Sequence, residues 1–364
     1  MTDATSLPRP SAFRRRAKSG DRRRTGQLTV GLSALLLLAV CVLAVATGPS
    51  PIPLGDLARS LLGESDALSA REAIILHDIR LPRLLLGALT GMALGVSGTM
   101  MQGLFRNPLA DPSLVGVSSG AAVAAVCAIV LGGGPLSAFA AVLGNSFLPV
   151  AAFMGALATT SLLYFLATKA GRTSIATLLL AGLAVTAIGN ALIGLVVFTA
   201  DDQQLRDITF WTLGSLGGAT WGRAMAMVPF VGIMLAAVPF VSRGLDALIL
   251  GEAEAMHVGI NVETLKRATI LAVASACGAA VAVAGVIGFI GIVVPHLLRL
   301  VMGPSNRYLL PASAFGGAAL LIGADTICRI VVAPAELPIG IITALIGAPV
   351  FMALLLRRRN AFGL

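Results

Sequence analysis

The sequence predicts an all-α polytopic membrane protein with ten spanning helices, and three observations carry that prediction. Only 12% of the 364 residues are charged while 57% are hydrophobic, about half the usual supply of groups able to cover a water-facing surface. The mean hydropathy of +0.93 and 41 glycines without a three-residue period exclude a soluble domain, a disordered chain and a collagen. Apolar stretches of membrane-spanning size then recur along the whole chain.

The first covers 28–47, and its twenty residues rise about 30 Å, enough to cross the hydrocarbon core. The preceding arginines and Ala44-Val45-Ala46 imitate a secretory signal with its cleavage site, but the length reads as a retained first span. Further spans are expected at 84–105, 114–131, 150–168, 176–199, 224–241, 268–285, 286–302, 309–332 and 339–356. The eighth contains Pro295, His296 and Arg299 and is expected to be short or broken. The domain plan is a basic tail over 1–27, a ten-helix domain over 28–356 and a terminal stretch over 357–364. Asp56, Arg59, Glu64, Asp66, Arg71, Glu72 and Asp78 alternate with leucines in the outer loop 49–79, a pattern of short surface helices.

An even number of spans puts both termini on one side of the membrane. Arg14, Arg15, Arg16, Lys18, Arg22, Arg23 and Arg24 crowd the start, and Arg357, Arg358 and Arg359 the end. Alternating the loops from a cytoplasmic start places 19 of the 26 basic residues inside, leaving Arg59, Arg71, Arg80, Arg83, Arg206, Arg223 and Arg329 outside. That bias orients the chain with both ends cytoplasmic. A nucleic-acid-binding tail is the alternative, but no aromatic residues interleave with its arginines.

Several chemistries are excluded or disfavoured. Lys18, Lys169 and Lys266 are the only lysines and none follows a glycine, so no nucleotide-hydrolysing P-loop is present. Cys41, Cys127, Cys277 and Cys328 lie in apolar runs without CxxC spacing and read as small hydrophobes. His77, His257 and His296 fall at different depths and form no clustered metal site. Gly95-Val96-Ser97-Gly98 matches the short GxSG pattern of intramembrane serine proteases, with His296 as the available base. Yet Gly87, Gly91, Gly95 and Gly98 also form a small-residue stripe for close helix packing. An ion-coupled carrier needs mid-membrane carboxylates; the acidic candidate is Asp325, which forms an i,i+4 pair with Arg329 near an outer end.

Three segments remain as candidate sites. Arg80-Leu81-Pro82-Arg83 opens the second span, where its arginines either snorkel to headgroups or join Arg329 to dock an acidic partner. Arg106-Asn107-Pro108-Leu109-Ala110-Asp111-Pro112 forms a tight inner turn. The inner segment 243–262 repeats Leu245, Leu248, Ile249, Ala253 and Met256 at helical spacing, either as a helix lying on the membrane or as one inserted into a cytoplasmic motor.

Four stretches, RLPRLLLGALTGMALGVSGTMMQGLFRNPLADPSLVGVSSG, LGEAEAMHVGIN, GVIGFIGIVVPHLLRL and AELPIGIITALIGAPVFMALLL, resemble in order the FecCD/BtuC-type permease subunits of ABC importers for haem, ferric siderophores and cobalamin. The likeness runs over about 80–356. It implies a homodimer of ten-helix subunits in the bacterial inner membrane, with a path at the two-fold axis and two inverted halves, spans two to five and seven to ten. It further implies two cytoplasmic ATPase subunits that bind ATP and magnesium, a periplasmic binding protein, and no cofactor or metal in this chain. Overall likeness puts haem first among the ligands. Gly251, Glu252, Ala253, Glu254, Met256, His257 and Gly259 match the family's ATPase-coupling segment, and Arg80, Arg83 and Arg329 its docking arginines. Asn107 and Leu109 match one half of the cytoplasmic gate, and Ser174, Ile175 and Ala176 the other. This loop departs from the family pattern, because its Thr-Ser pair stands at 173–174 rather than nearer 175–176.

Overall fold

A computed structural model describes residues 22–50, 52–62, 64, 68–333 and 335–361. The basic tail before Arg22 and the last three residues lie outside this range. Helix α1 covers Arg23–Ala46, and short α2 (Leu54–Leu61) and α3 (Ala70–Ile74) follow in the outer loop. A π turn, Ile75–Arg80, carries α3 directly into α4 (Leu81–Leu104). Next come α5 (Val117–Leu131), α6 (Ser137–Leu143) and α7 (Phe147–Ala167). A two-residue hairpin, β1 (Thr168–Lys169) and β2 (Arg172–Thr173), leads to α8 (Ile175–Val197), α9 (Asp202–Leu213) and α10 (Trp221–Leu248). The chain continues through α11 (Glu252–His257), α12 (Val262–Ala284), α13 (Ile290–Met302), α14 (Asn306–Val331) and α15 (Ile339–Ala361).

Among the described residues seven helical segments are long and apolar enough to cross a bilayer, and α5, α13 and α15 contribute three shorter apolar helices. Together they occupy the ten expected positions, and the eighth is indeed the shortest. Gly285 (φ 74°) ends α12, and Phe289 (φ 68°) turns the backbone left-handed before α13 begins. An added side chain at Gly347 of α15 would overlap the Phe289 ring, so that close approach holds the ring in place.

The sequence reading differs from the structure at the inner segment. One surface helix was expected within 243–262, but α10 runs on to Leu248 because Leu245 and Leu248 are buried. Only α11 remains as a separate short helix. The outer helix α9 carried no expectation; Asp201 and Gln204 build a capping box at its start, satisfying backbone donors that a helix leaves unpaired.

The glycine stripe fixes the centre. Added methyl groups at Gly91 and Gly95 would collide with the Gly317 and Ser313 carbonyls of α14, and one at Gly98 with the Gly291 carbonyl of α13. Without those side chains the backbones lie in contact, which is how helices associate where lipid supplies no hydrophobic drive. Thr99 and Ser313 share a hydroxyl hydrogen bond of 2.8 Å, and the Gln102 amide donates to the Gly291 carbonyl at 3.1 Å. Helix α4 is accordingly largely buried, 72% of its apolar window against 11% for α8.

Two halves exchange roles around this centre. Helix α4 packs on α13 and α14, α12 packs on α5 and α7, and α4 and α12 pack on each other. Both α5 and α13 are short and entered through irregular backbone, the former by a 3-10 turn ending at Gly116 (φ 77°). These correspondences are those of two inverted four-helix repeats.

Overfilling the seam should be costly. Gly95→Leu is expected to lower the thermal-unfolding midpoint in detergent, corresponding to about 1–3 kcal/mol or more of overpacking. Gly31→Leu, where a side chain meets open space, should leave it unchanged.

Candidate functional site

Two polar clusters stand at opposite ends of the bundle. At the outer end Pro82 sits in the first turn of α4, where its missing N–H is harmless, and Arg83 beside it reaches across to α14. Its guanidinium donates to Asp325 through Nε at 3.0 Å and Nη2 at 2.8 Å, and to Glu336 through Nη1 at 2.8 Å and Nη2 at 3.0 Å. Arg329 lies 3.2 Å from the other side of Asp325 and donates to the Ala44 carbonyl at 3.2 Å. Arg80 donates to the Val45 and Ser50 carbonyls. Arg80 and Arg329 thereby serve the carbonyl end of α1, where cations are favoured.

This arrangement differs from a row of presented charges. Arg80, Arg83 and Arg329 are 5%, 8% and 7% exposed, and each guanidinium is engaged inside the protein. Asp325, read from the sequence as a simple partner of Arg329, has Arg83 as its main partner, 242 residues away. Its paired oxygens form a structural ion cluster rather than a proton relay. The side chain of Glu336 is 41% exposed, and nothing in the local sequence marked it.

The protease alternative also meets its geometry here. Ser97 is fully buried and its hydroxyl donates to the Met234 sulfur at 3.7 Å. A thioether is too weak a base to activate a nucleophile.

At the inner end, α11 lies between Gly251 (φ 126°) and Gly259 (φ 86°). Ala255 faces inward while Ala253, Glu254, Met256 and His257 face outward. Leu250, Met256 and Val258 are 74%, 58% and 68% exposed, an apolar patch of the kind that marks an interaction surface.

Two polar clasps hold this segment to the body. Asp246 at the end of α10 accepts from the Asn306 backbone at 2.6 Å, its side-chain amide at 2.9 Å and the Ser305 hydroxyl at 3.2 Å, fixing α10 to the start of α14. Lys266 in α12, its side chain 3% exposed, donates to Glu252 of α11 at 2.9 Å, Glu263 at 3.1 Å and the Thr173 carbonyl of β2 at 3.0 Å. Glu263 also accepts from the Thr173 N–H at 3.0 Å. Lys266 and Glu263 were not expected at a site, and Asp246 was expected only as a polar position of the inner segment; the available signal was a lone lysine next to an apolar run, three residues from a glutamate.

The expected gate residues fall on two separate elements. The Asn107 side chain accepts from the Leu109 N–H at 3.0 Å and shapes the turn after α4. Ser174 caps α8 by accepting from the Thr177 N–H at 3.2 Å, with Ile175 and Ala176 opening that helix. Among the described residues no hydrogen bond joins the two groups. A groove of about 370 Å³ between α5 and α8 is lined mostly by apolar residues such as Leu114, Leu179 and Val286, with Ser118, Ser119, Thr186 and Asn190 among them. The outward face of α8 is apolar, with Leu180, Leu183 and Leu195 all largely exposed.

Seven long and three shorter apolar helices among the described residues, with a buried ion cluster at one end and a short helix between two glycines at the other, make a multi-pass membrane protein. The match of the FecCD transport family to residues 36–357 makes the assignment specific: the chain belongs to that family. It is 47% identical over 283 residues to the hemin transport system permease protein HmuU of Yersinia pestis, covering 78% of this chain and 83% of that one. The cobalamin import system permease protein BtuC of Halobacterium salinarum is 40% identical over 356 residues, covering 98% and 92%. A solved inward-facing structure of a metal-chelate type ABC transporter matches with a TM-score of 0.77 at 29% identity, over 91% of this chain and 99% of that one.

The outer ion lock makes a stability prediction. Asp325→Ala leaves the buried Arg83 and Arg329 guanidinium groups without that carboxylate and should cost about 3–5 kcal/mol in detergent unfolding, while Arg83→Met, Asp325→Leu and Arg329→Met together should recover most of it.

Proposed function

We propose that the chain is the membrane-spanning permease subunit of an ATP-driven importer that carries haem inward across the bacterial inner membrane. Its partners in this reading are a second copy of itself, two cytoplasmic ATPase subunits that bind ATP and magnesium, and a periplasmic binding protein. Both termini lie in the cytoplasm, consistent with the distribution of basic residues. The observation that carries the reading is α11, a short helix between left-handed glycines that exposes Met256, with Leu250 and Val258 exposed on either side of it, and that Lys266 ties to the body through Glu252. An ATPase gripping that patch acts on α10, α12 and the β1–β2 hairpin together.

The exposed apolar face of α8 suits contact with the second copy, which would enclose the mainly apolar groove that Thr186 and Asn190 also line as a path. A wide, weakly binding path suits a bulky chelate, since conduction needs sites that release their ligand. Asn107 and Leu109 on one turn, with Ser174, Ile175 and Ala176 on the next, then close its cytoplasmic mouth. Docking of the binding protein at Arg80, Arg83 and Arg329 requires its carboxylates to compete with Glu336, the exposed member of the outer cluster. Cobalamin is the second reading, favoured by the relative whose match covers nearly the whole chain.

Two experiments test this. In proteoliposomes holding the permease, its ATPase and its binding protein, haem should stimulate ATP hydrolysis while cyanocobalamin and a ferric siderophore do not; stimulation by cyanocobalamin alone would transfer the assignment to cobalamin. Replacing Met256 and Val258 by Asp should weaken co-purification of the ATPase by about tenfold or more, as loss of an interface anchor does, without lowering the unfolding midpoint. Undiminished co-purification would remove α11 as the coupling surface.

A further inference from the structure

Lys266 uses all three of its ammonium donors, and its three acceptors stand on three different elements. Among the described residues it is the single side chain hydrogen-bonded to both α11 and the hairpin. What it connects differs on each side. Helix α11 is attached loosely: Gly251 and Gly259 have left-handed backbone with open space around them, and Ala255 is its only buried residue. The hairpin is stiff. Ala170 (φ 51°) and Gly171 (φ 76°) form the two-residue turn whose twist matches paired strands. The Thr168 and Thr173 hydroxyls pair at 3.0 Å, and the Ser174 N–H donates to the Ala167 carbonyl at 2.9 Å.

Ser174 is also the cap of α8, so hairpin and helix start form one piece. Within one copy of the chain, helix α8 is the least buried of the long helices and packs mainly on α5 and α7.

From this geometry we infer that Lys266 is a positioning residue that ties α11 to the start of α8, so that a displacement imposed on the cytoplasmic helix is delivered to the inner mouth. The inference rests on the proposed coupling of α11 to an ATPase. The linkage is electrostatic and short: Glu252 to Lys266, Lys266 to Thr173, Thr173 to Ser174 along the backbone. Glu263 braces it by holding Lys266 and the Thr173 N–H at once. A neutral side chain at 266 would leave Glu252 and Glu263 to water, which reaches both, 38% and 27% exposed. Loss of the clasp therefore differs from loss of the fold.

The test uses the full transporter with Cys41, Cys127, Cys277 and Cys328 replaced by Ala and spin labels at Met256→Cys and Ala176→Cys. With Lys266 present, the 256–176 distance should stay constant between the nucleotide-free and nucleotide-trapped states. With Lys266→Met it should change by about 2 Å or more, the size of common helix shifts. In the unlabelled transporter with Met256 and Ala176 intact, Lys266→Met should lower the substrate moved per ATP by about tenfold, within the usual range of site coupling, while ATPase co-purification and turnover persist. Equal distances and equal yield per ATP in the two proteins would overturn the inference.

Hydrogen exchange on the unsubstituted complex gives a second measure: nucleotide should change protection in 252–257 and 168–174 together. A response confined to 252–257 removes the clasp and leaves the coupling surface standing, whereas no response in 252–257 removes both.

Discussion

Backbone contact along one face of α4 governs the arrangement of the other helices. Lipid tails are as apolar as leucine, so helices in a bilayer gain little by hiding apolar side chains from it and must gain by fitting closely. Gly91, Gly95 and Gly98 allow that fit against α14 and α13. Once α4 is enclosed, α12 occupies the matching place in the second half and meets α5 and α7 as α4 meets α13 and α14. The result is a stiff centre with thinly packed elements, α8, α9 and α11, around it.

The two polar clusters divide the work of that architecture. At the end expected to be outer, three arginines, Asp325 and the last carbonyls of α1 are locked among spanning helices, with the half-exposed Glu336 at their edge. Such a cluster holds spans in register, because separating any pair strands a charge in a low-dielectric place. Inside, one ammonium and two carboxylates join a surface helix and a hairpin to a spanning helix. The outer cluster joins parts of the rigid body, whereas the inner one joins the rigid body to parts that are loosely held.

Much of this was legible in the sequence because the bilayer imposes a coarse length rule on apolar runs. The glycine spacing of four in α4 announced a contact face, and Pro295 with the neighbouring glycines announced a short eighth helix. Pairing across the chain was not legible. Arg83 and Asp325 are 242 residues apart, and Lys266 and Thr173 are 93 apart; no local periodicity connects them. The arginines of the outer end accordingly read as presented charge, when their partners had simply not yet been brought alongside. Helix α10 passed its expected end for a similar reason, since Leu245 becomes core only where Gly103 of α4 makes room for it, and Gly244 beside it makes room for Leu265 of α12.

In the proposed function this chain is a conduit driven from outside itself, and its buried charged groups serve as locks rather than as ion-coupling sites. Uptake of iron-labelled haem into liposomes containing the purified chain alone, under imposed proton or sodium gradients, tests that most directly. No accumulation should occur under any gradient, and it should appear only when the ATPase, ATP and the binding protein are restored. Concentration of haem by the chain alone against its own gradient would contradict the account.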